Sequence, residues 1–147
     1  MDKKTFTKIT KEVFLEYGFI KEKNEYILLL KDVTIVVKFS SWRGVKYFNY
    51  YFFINALYDS NIELKNKFDT LVEIKMEHDP SAQGYHKHEI LFEQYTEDAY
   101  RKLLVNMLHT YFDAYKENAL KFLKENDYCM SLTKKAREYL GLTDNEQ

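Results

Sequence analysis

From Tyr47 to Phe53 every residue except Asn49 is aromatic. Successive side chains of a strand point to opposite faces, so a strand here carries rings on both. Phe48, Tyr50, Phe52, Ile54 and Ala56 take one face, and Tyr47, Asn49, Tyr51, Phe53, Asn55 and Leu57 take the other. Two readings stand side by side. Either the strand is central and covered on both sides, or its second face meets water or a partner. Tyrosine suits the second role, because its body is apolar and its tip makes hydrogen bonds.

The segment upstream supplies a partner strand. In VTIVVKFSSW (33–42), Val33, Ile35, Val37 and Phe39 form an apolar face opposite Thr34, Val36, Lys38 and Ser40, the period of a half-buried strand. A short Arg43-Gly44 connection joins it to the aromatic strand. EYILLL (25–30) precedes it across Lys31-Asp32, so three strands form an antiparallel meander. Two further strands are expected at 69–78 and 85–92, around the loop 79–84 that holds the only proline.

Helical spacing marks the two ends. Phe6, Ile9, Val13, Phe14 and Tyr17 predict a helix over 2–17, with Gly18 placed to cap it. Thr96, followed by Glu97 and Asp98, is an N-cap signature, and an apolar stripe from Tyr100 to Phe122 predicts a long helix over 96–125 with a bend near Asp113. A last helix, 132–140, is expected after a Ser131 cap, with Gly141 at its end. The fold class is therefore α+β over 1–147 as one domain. About five antiparallel strands are expected, with an N-terminal helix, one long helix and a short C-terminal helix packed on one face.

Composition narrows function by exclusion. With 22 basic and 23 acidic residues the formal charge is −1. That counts against a nucleic-acid binder, whose affinity rests mainly on neutralised phosphates. No stretch approaches a membrane span, the lysine-studded N-terminus lacks a signal-peptide core, and the one cysteine, Cys129, allows no internal disulfide. These features lead us to expect a cytosolic chain. No Gly-rich phosphate loop, G-x-S-x-G or H-E-x-x-H is present, so the sequence leans away from an enzyme and implies no cofactor.

Three sets of residues remain as candidate sites. Trp42 and Arg43, at the hairpin turn, are types enriched in binding hot spots, and with Tyr47, Tyr51 and Phe53 they form the candidate partner-binding surface. At least two of those three rings are expected to keep solvent exposure, since Lys38, Asn49, Glu73 and Lys75 on the same face would be costly to bury. The same rings could instead stack bases of a single-stranded nucleic acid, or pair two copies of the chain. His78, His86 and His88 would fall on one face if Met76 opposes His88 and His78 opposes His86, and an H-x-H pair can supply two ligands to zinc. A metal-dependent enzyme is the alternative function on that reading.

The segments MDKKTFTKITKEVFLEYGF, FSSW with YFNYYFFINAL, and SLTKKAREYLGL resemble a bacterial domain-of-unknown-function family of small single-domain proteins. The matched residues are chiefly core and capping positions, so the resemblance speaks to fold and carries over no activity or catalytic residue. Small bacterial families of this kind are sometimes encoded beside secreted toxins and act as immunity proteins. The resemblance therefore implies a non-catalytic protein-binding role, with toxin immunity as one form of it.

Overall fold

The computed structural model describes residues 1–42, 45–58, 68–71, 73–79 and 87–142, without the side chains of Trp42 and Val45. Three α-helices, α1 (Lys3–Tyr17), α2 (Glu97–Glu125) and α3 (Lys134–Leu140), accompany a five-stranded antiparallel sheet. Its strands are β1 (Ile20–Glu22), β2 (Glu25–Leu29), β3 (Val33–Trp42), β4 (Val45–Ile54) and β5 (Ile74–Lys75), side by side in chain order. Among the described residues no helix is long and apolar enough to cross a membrane.

Local chemistry accounts for the helix ends. The Asp2 carboxylate accepts from the Thr5 N–H at 2.8 Å and opens α1. Gly18 closes it at φ 123°, a conformation that costs a residue with a Cβ. Thr96 accepts from the Ala99 N–H to open α2, as its position predicts. The expected bend in that helix is real but displaced. It lies at Asn118 (φ −159°, ψ 92°), not near Asp113. There the Asn118 side chain accepts from the Lys121 N–H at 3.2 Å, capping the last turns as an N-terminal asparagine does. The cap of α3 also moves, from Ser131 to Thr133, whose hydroxyl accepts from the Ala136 N–H. Ser131 instead gives its carbonyl to the Leu71 N–H at 2.6 Å.

The β3–β4 ladder runs in register from Val33↔Ile54 to Trp42↔Val45. Its inner face, with Ile35, Val37, Phe48, Tyr50 and Phe52, is buried beneath α1 and α2. Tyr50 meets Phe112 edge-on at 5.2 Å, and Phe14 stacks on Tyr26 at 4.4 Å. Offset and edge-on pairs of this kind add about 0.5–1.5 kcal/mol each beyond their burial. Tyr17 donates to the Asp113 carboxylate at 2.7 Å, and Lys116 donates to the Tyr17 carbonyl at 2.6 Å, which clasps α1 to α2.

The smaller strands depart from expectation. β1 was not legible in the sequence: it is three exposed residues, turned back onto β2 through Lys23 at φ 55°. Of the strand expected over 69–78, Ile74 and Lys75 alone among the described residues form a strand on β4, flanked by the Asp69 and Met76 N–H groups that donate to the Phe52 and Phe48 carbonyls. The described part of 85–92 is no strand. The segment is irregular from residue 87 to the 3-10 turn Phe92–Gln94, and Ile90 donates its N–H to the Lys46 carbonyl at 2.7 Å, so it reaches β4.

Asp69 fixes the chain before β5. Fully buried, its carboxylate accepts from the Ile54 N–H and, at 2.9 Å, from the Tyr58 hydroxyl. Its own N–H donates to the Phe52 carbonyl, and its carbonyl accepts from the Thr133 N–H at 2.8 Å. One residue thereby ties the end of β4 to the entrance of α3.

Burial pushes the Tyr50 phenol up to about 12 and also raises Tyr100 and Tyr115. The folded protein then keeps protons that the unfolded chain sheds above the ordinary value of about 10. Stability is full below that value and falls as pH rises through it towards 12. We expect an alkaline titration in which the buried phenols Tyr50, Tyr100 and Tyr115 ionise last, together with loss of circular dichroism. Complete phenolate absorbance from a chain with unchanged dichroism would contradict these burials.

Candidate functional site

Strand register sorts the outer face of the sheet, the one turned away from the helices, into rows. Glu22, Glu25, Lys38, Asn49 and Lys75 are successive partners across all five strands and make one polar row. Ile20, Ile27, Val36 and Tyr51 make the next, and Leu29, Thr34 and Phe53 a third. An apolar band thus lies directly beside a band carrying both signs of charge.

The polar row is knitted by its own side chains. Lys38 Nζ lies 3.1 Å from Glu73, whose other carboxylate oxygen accepts from the Asn49 amide. The Ser40 hydroxyl donates to Asn49 Oδ1 at 3.0 Å. Lys38 sits 4.7 Å above the Tyr51 ring and Lys75 sits 4.9 Å above the Tyr47 ring, cation–π geometries worth about 0.5–1 kcal/mol at exposed sites.

Tyr47 is half-buried, but Tyr51 and Phe53 retain only 2% and 1% of their surface. The expected exposure of at least two of these rings is therefore corrected. Tyr51 packs edge-on against Phe53 at 5.6 Å and Phe68 at 5.7 Å, and Phe53 packs against Tyr58 at 5.5 Å. The Tyr51 hydroxyl donates to Glu25 at 2.8 Å. Polar neighbours did not force the rings into water, because they satisfy one another: Asn49 is 3% exposed, its amide nitrogen donating to Glu73 and its Oδ1 accepting from Ser40. Arg43 and the Trp42 side chain lie outside the described residues.

Exposed apolar surface sits instead on residues the sequence reading did not nominate. Leu29 is 62% exposed, Ile20 49% and Phe68 39%. The signal was present for Leu29: alternation in EYILLL places Ile27 and Leu29 opposite Tyr26 and Leu28, so β2 is apolar on both faces.

Of the three candidate histidines, the structure describes His78 and His88. His78 and Asp79 both donate their N–H groups to the Lys87 carbonyl, at 2.8 and 3.1 Å, and the expected pairing of His78 with His86 falls outside the described residues. His78 Nε2 carries a proton, since it donates to the Glu89 carbonyl. The His88 ring stands edge-on to Tyr47 at 6.0 Å. Burial, reinforced by the Lys75 ammonium, holds its imidazole below the usual value. His86 lies outside the described residues, and among those described no group of three or more His, Cys, Asp or Glu gathers to hold a metal.

No family model, curated protein or solved structure matches the chain.

The two tyrosines of the outer face should separate in denaturation experiments. Tyr51→Ala is expected to lower unfolding free energy by about 3–5 kcal/mol, the range for deleting a core aromatic. Tyr51→Phe, which removes only the hydroxyl bond to Glu25, should cost about 1 kcal/mol. Tyr47→Ala should cost less than about 1 kcal/mol. Equal losses at positions 47 and 51, measured in urea at constant m, would refute the packing described.

Proposed function

We propose that the chain is a non-catalytic module that binds a protein partner through the outer face of its sheet. The observation that carries this reading is the exposure of Ile20, in the row beside the charged one, of Leu29, one row further, and of Phe68, which packs on Tyr51. Protein interfaces commonly join an apolar centre to a polar rim, and exposed apolar patches mark interaction sites. Glu22, Lys38, Glu73 and Lys75 supply a rim with both signs of charge, suited to fixing the register of a partner more than to raw affinity. Tyr47 extends the surface along β4, with Tyr51 and Phe53 forming its rigid floor; Trp42 and Arg43, next in sequence to this end of the strands, are the further candidates for partner contact. Immunity against a secreted toxin is a specific form of this role, and it rests on the sequence resemblance alone.

A photo-crosslinking residue placed at Leu29, and separately at Lys121 on the exposed side of α2, tests the surface in the cells that make the protein. We expect one discrete protein adduct from position 29 and none from position 121. Leu29→Asp should abolish the complex without lowering the melting temperature. The proposal fails if the two positions give the same adducts, or if Leu29→Asp leaves the complex intact. An adduct at twice the chain mass, matched by a dimer in sedimentation, would replace the foreign partner with a second copy.

A further inference from the structure

On the opposite side of the sheet, a groove opens between the first turns of α1 and the β1–β2 hairpin. It has a volume of about 230 Å³ and an aromatic floor of Phe6, Tyr26 and Phe39. The floor is held from behind. Phe6 stacks on Phe92 at 4.7 Å, Tyr26 on Phe14 at 4.4 Å, and the Thr10 hydroxyl lies 2.6 Å from the Tyr100 hydroxyl while donating to the Phe6 carbonyl. The rings are thus fixed in place before any ligand arrives, so little ordering is lost on binding. Thr7, Lys21 and Asn24 form the rim.

Charge around this groove is one-sided. Residues 3–11 of α1 hold Lys3, Lys4, Lys8 and Lys11 with no acidic residue among them. Together with Thr7 they line a shallow trough that meets the groove at Thr7. Lys3, Thr7 and Lys11 are spaced four apart, on one ridge of the helix. Lys21 pairs in register with Tyr26 and faces inward, its ammonium 5.9 Å from the Tyr26 ring. Glu22 and Glu25, its acidic neighbours, point to the other face of the sheet. Of the acidic residues of α1, Glu12 is paired with Arg101 on α2 at 2.6 Å, and Glu16 lies beside α2 near His109 and Lys116. No ion pair among the described residues engages Lys3, Lys4, Lys8, Lys11 or Lys21.

We propose that this groove binds a nucleoside monophosphate, with its base on the half-buried Phe39 ring, flanked by the buried edges of Phe6 and Tyr26, and its phosphate at the rim beside Lys21 and Lys11 of the adjoining trough. Size selects the class. Drug- and cofactor-sized ligands need about 300–1,000 Å³, so the groove accommodates one planar ring system and leaves the sugar and phosphate at the lysine rim. Aromatic floors accept any base, because every base has a π-face. The Asn24 amide and the Thr7 hydroxyl offer hydrogen bonds to a ring edge or a ribose. The site shares no residue with the outer face of the sheet, so it stands or falls separately from the partner surface.

The test is an amide-resonance titration of the ¹⁵N-labelled chain with adenosine monophosphate, adenosine and inorganic phosphate. We expect saturable shifts at Thr7, Lys21 and Asn24 with the monophosphate, at a dissociation constant below about 1 mM. Adenosine and phosphate should each bind at least about tenfold more weakly, since each makes half of the contacts. Changing Lys11→Ala together with Lys21→Ala should weaken the monophosphate at least about tenfold at an unchanged melting temperature, whereas Lys121→Ala should not. A 5′-phosphorylated tetranucleotide distinguishes the source. Binding about tenfold tighter than the monophosphate, lost with Lys4→Ala and Lys8→Ala, assigns a strand end; equal affinity assigns a free nucleotide. Absence of saturable shifts with any of the common monophosphates at about 10 mM, or affinity indifferent to the double substitution, overturns the proposal.

Discussion

The β3–β4 ladder is the constraint from which the rest of the structure follows. Ordinarily register is protected because a one-residue slip exchanges an apolar face for a polar one. Here both faces carry rings, so apolar content alone does not choose between the two registers. The polar residues do. Thr34, Lys38 and Asn49 all lie on the outer face, and a slip would carry them beneath α1 and α2. An unpaired charge such as Lys38 buried there would cost several kcal/mol. The network of Lys38, Asn49 and Glu73 therefore guards the alignment that lets Tyr50 and Phe52 reach the helices.

Asp69 performs a related task at the far end of the ladder. Burial raises its carboxyl above the ordinary value, against the pull of the Ile54 N–H and the Tyr58 hydroxyl. A neutral residue could not accept two hydrogen bonds as strongly, which is a physical reason for a charge in so dry a place. Through Thr133, and through the bridge between Thr70 and Leu132, the same corner seats the chain that leads into α3. Sheet and C-terminal segment are joined by these polar contacts and by Leu132, Ala136 and Leu140, which belong to the common buried core.

Much of this was legible in the residue pattern because long elements average out local noise. The apolar stripes of α1 and α2 and the alternation of β3 and β4 repeat often enough to fix type, approximate length and facing. Short elements offer no such repetition. β1 is Ile-Lys-Glu, which carries no period, and β5 keeps only two residues of a longer alternating run. The break at Asn118 depends on one side chain competing for a backbone N–H. For the outer face, the partition of residues was legible and their exposure was not. Sequence shows that Asn49 and Glu73 need partners; it does not show that they find each other and so allow Tyr51 to be buried beside them.

The order of the elements along the chain also has a consequence for how the protein is made. The inner face of β4 is completed by rings that come much later: Tyr50 rests on Tyr111 and Phe112, and Phe52 on Tyr115. During translation α1 emerges ahead of the strands and can shield only the side that Phe14 reaches. At 5–20 residues per second, the ribosome needs on the order of 3–12 s to travel from Ile54 to Phe112. Through that interval the most aromatic hairpin of the nascent chain is uncovered along half its width, which makes it the segment a holdase chaperone would grip.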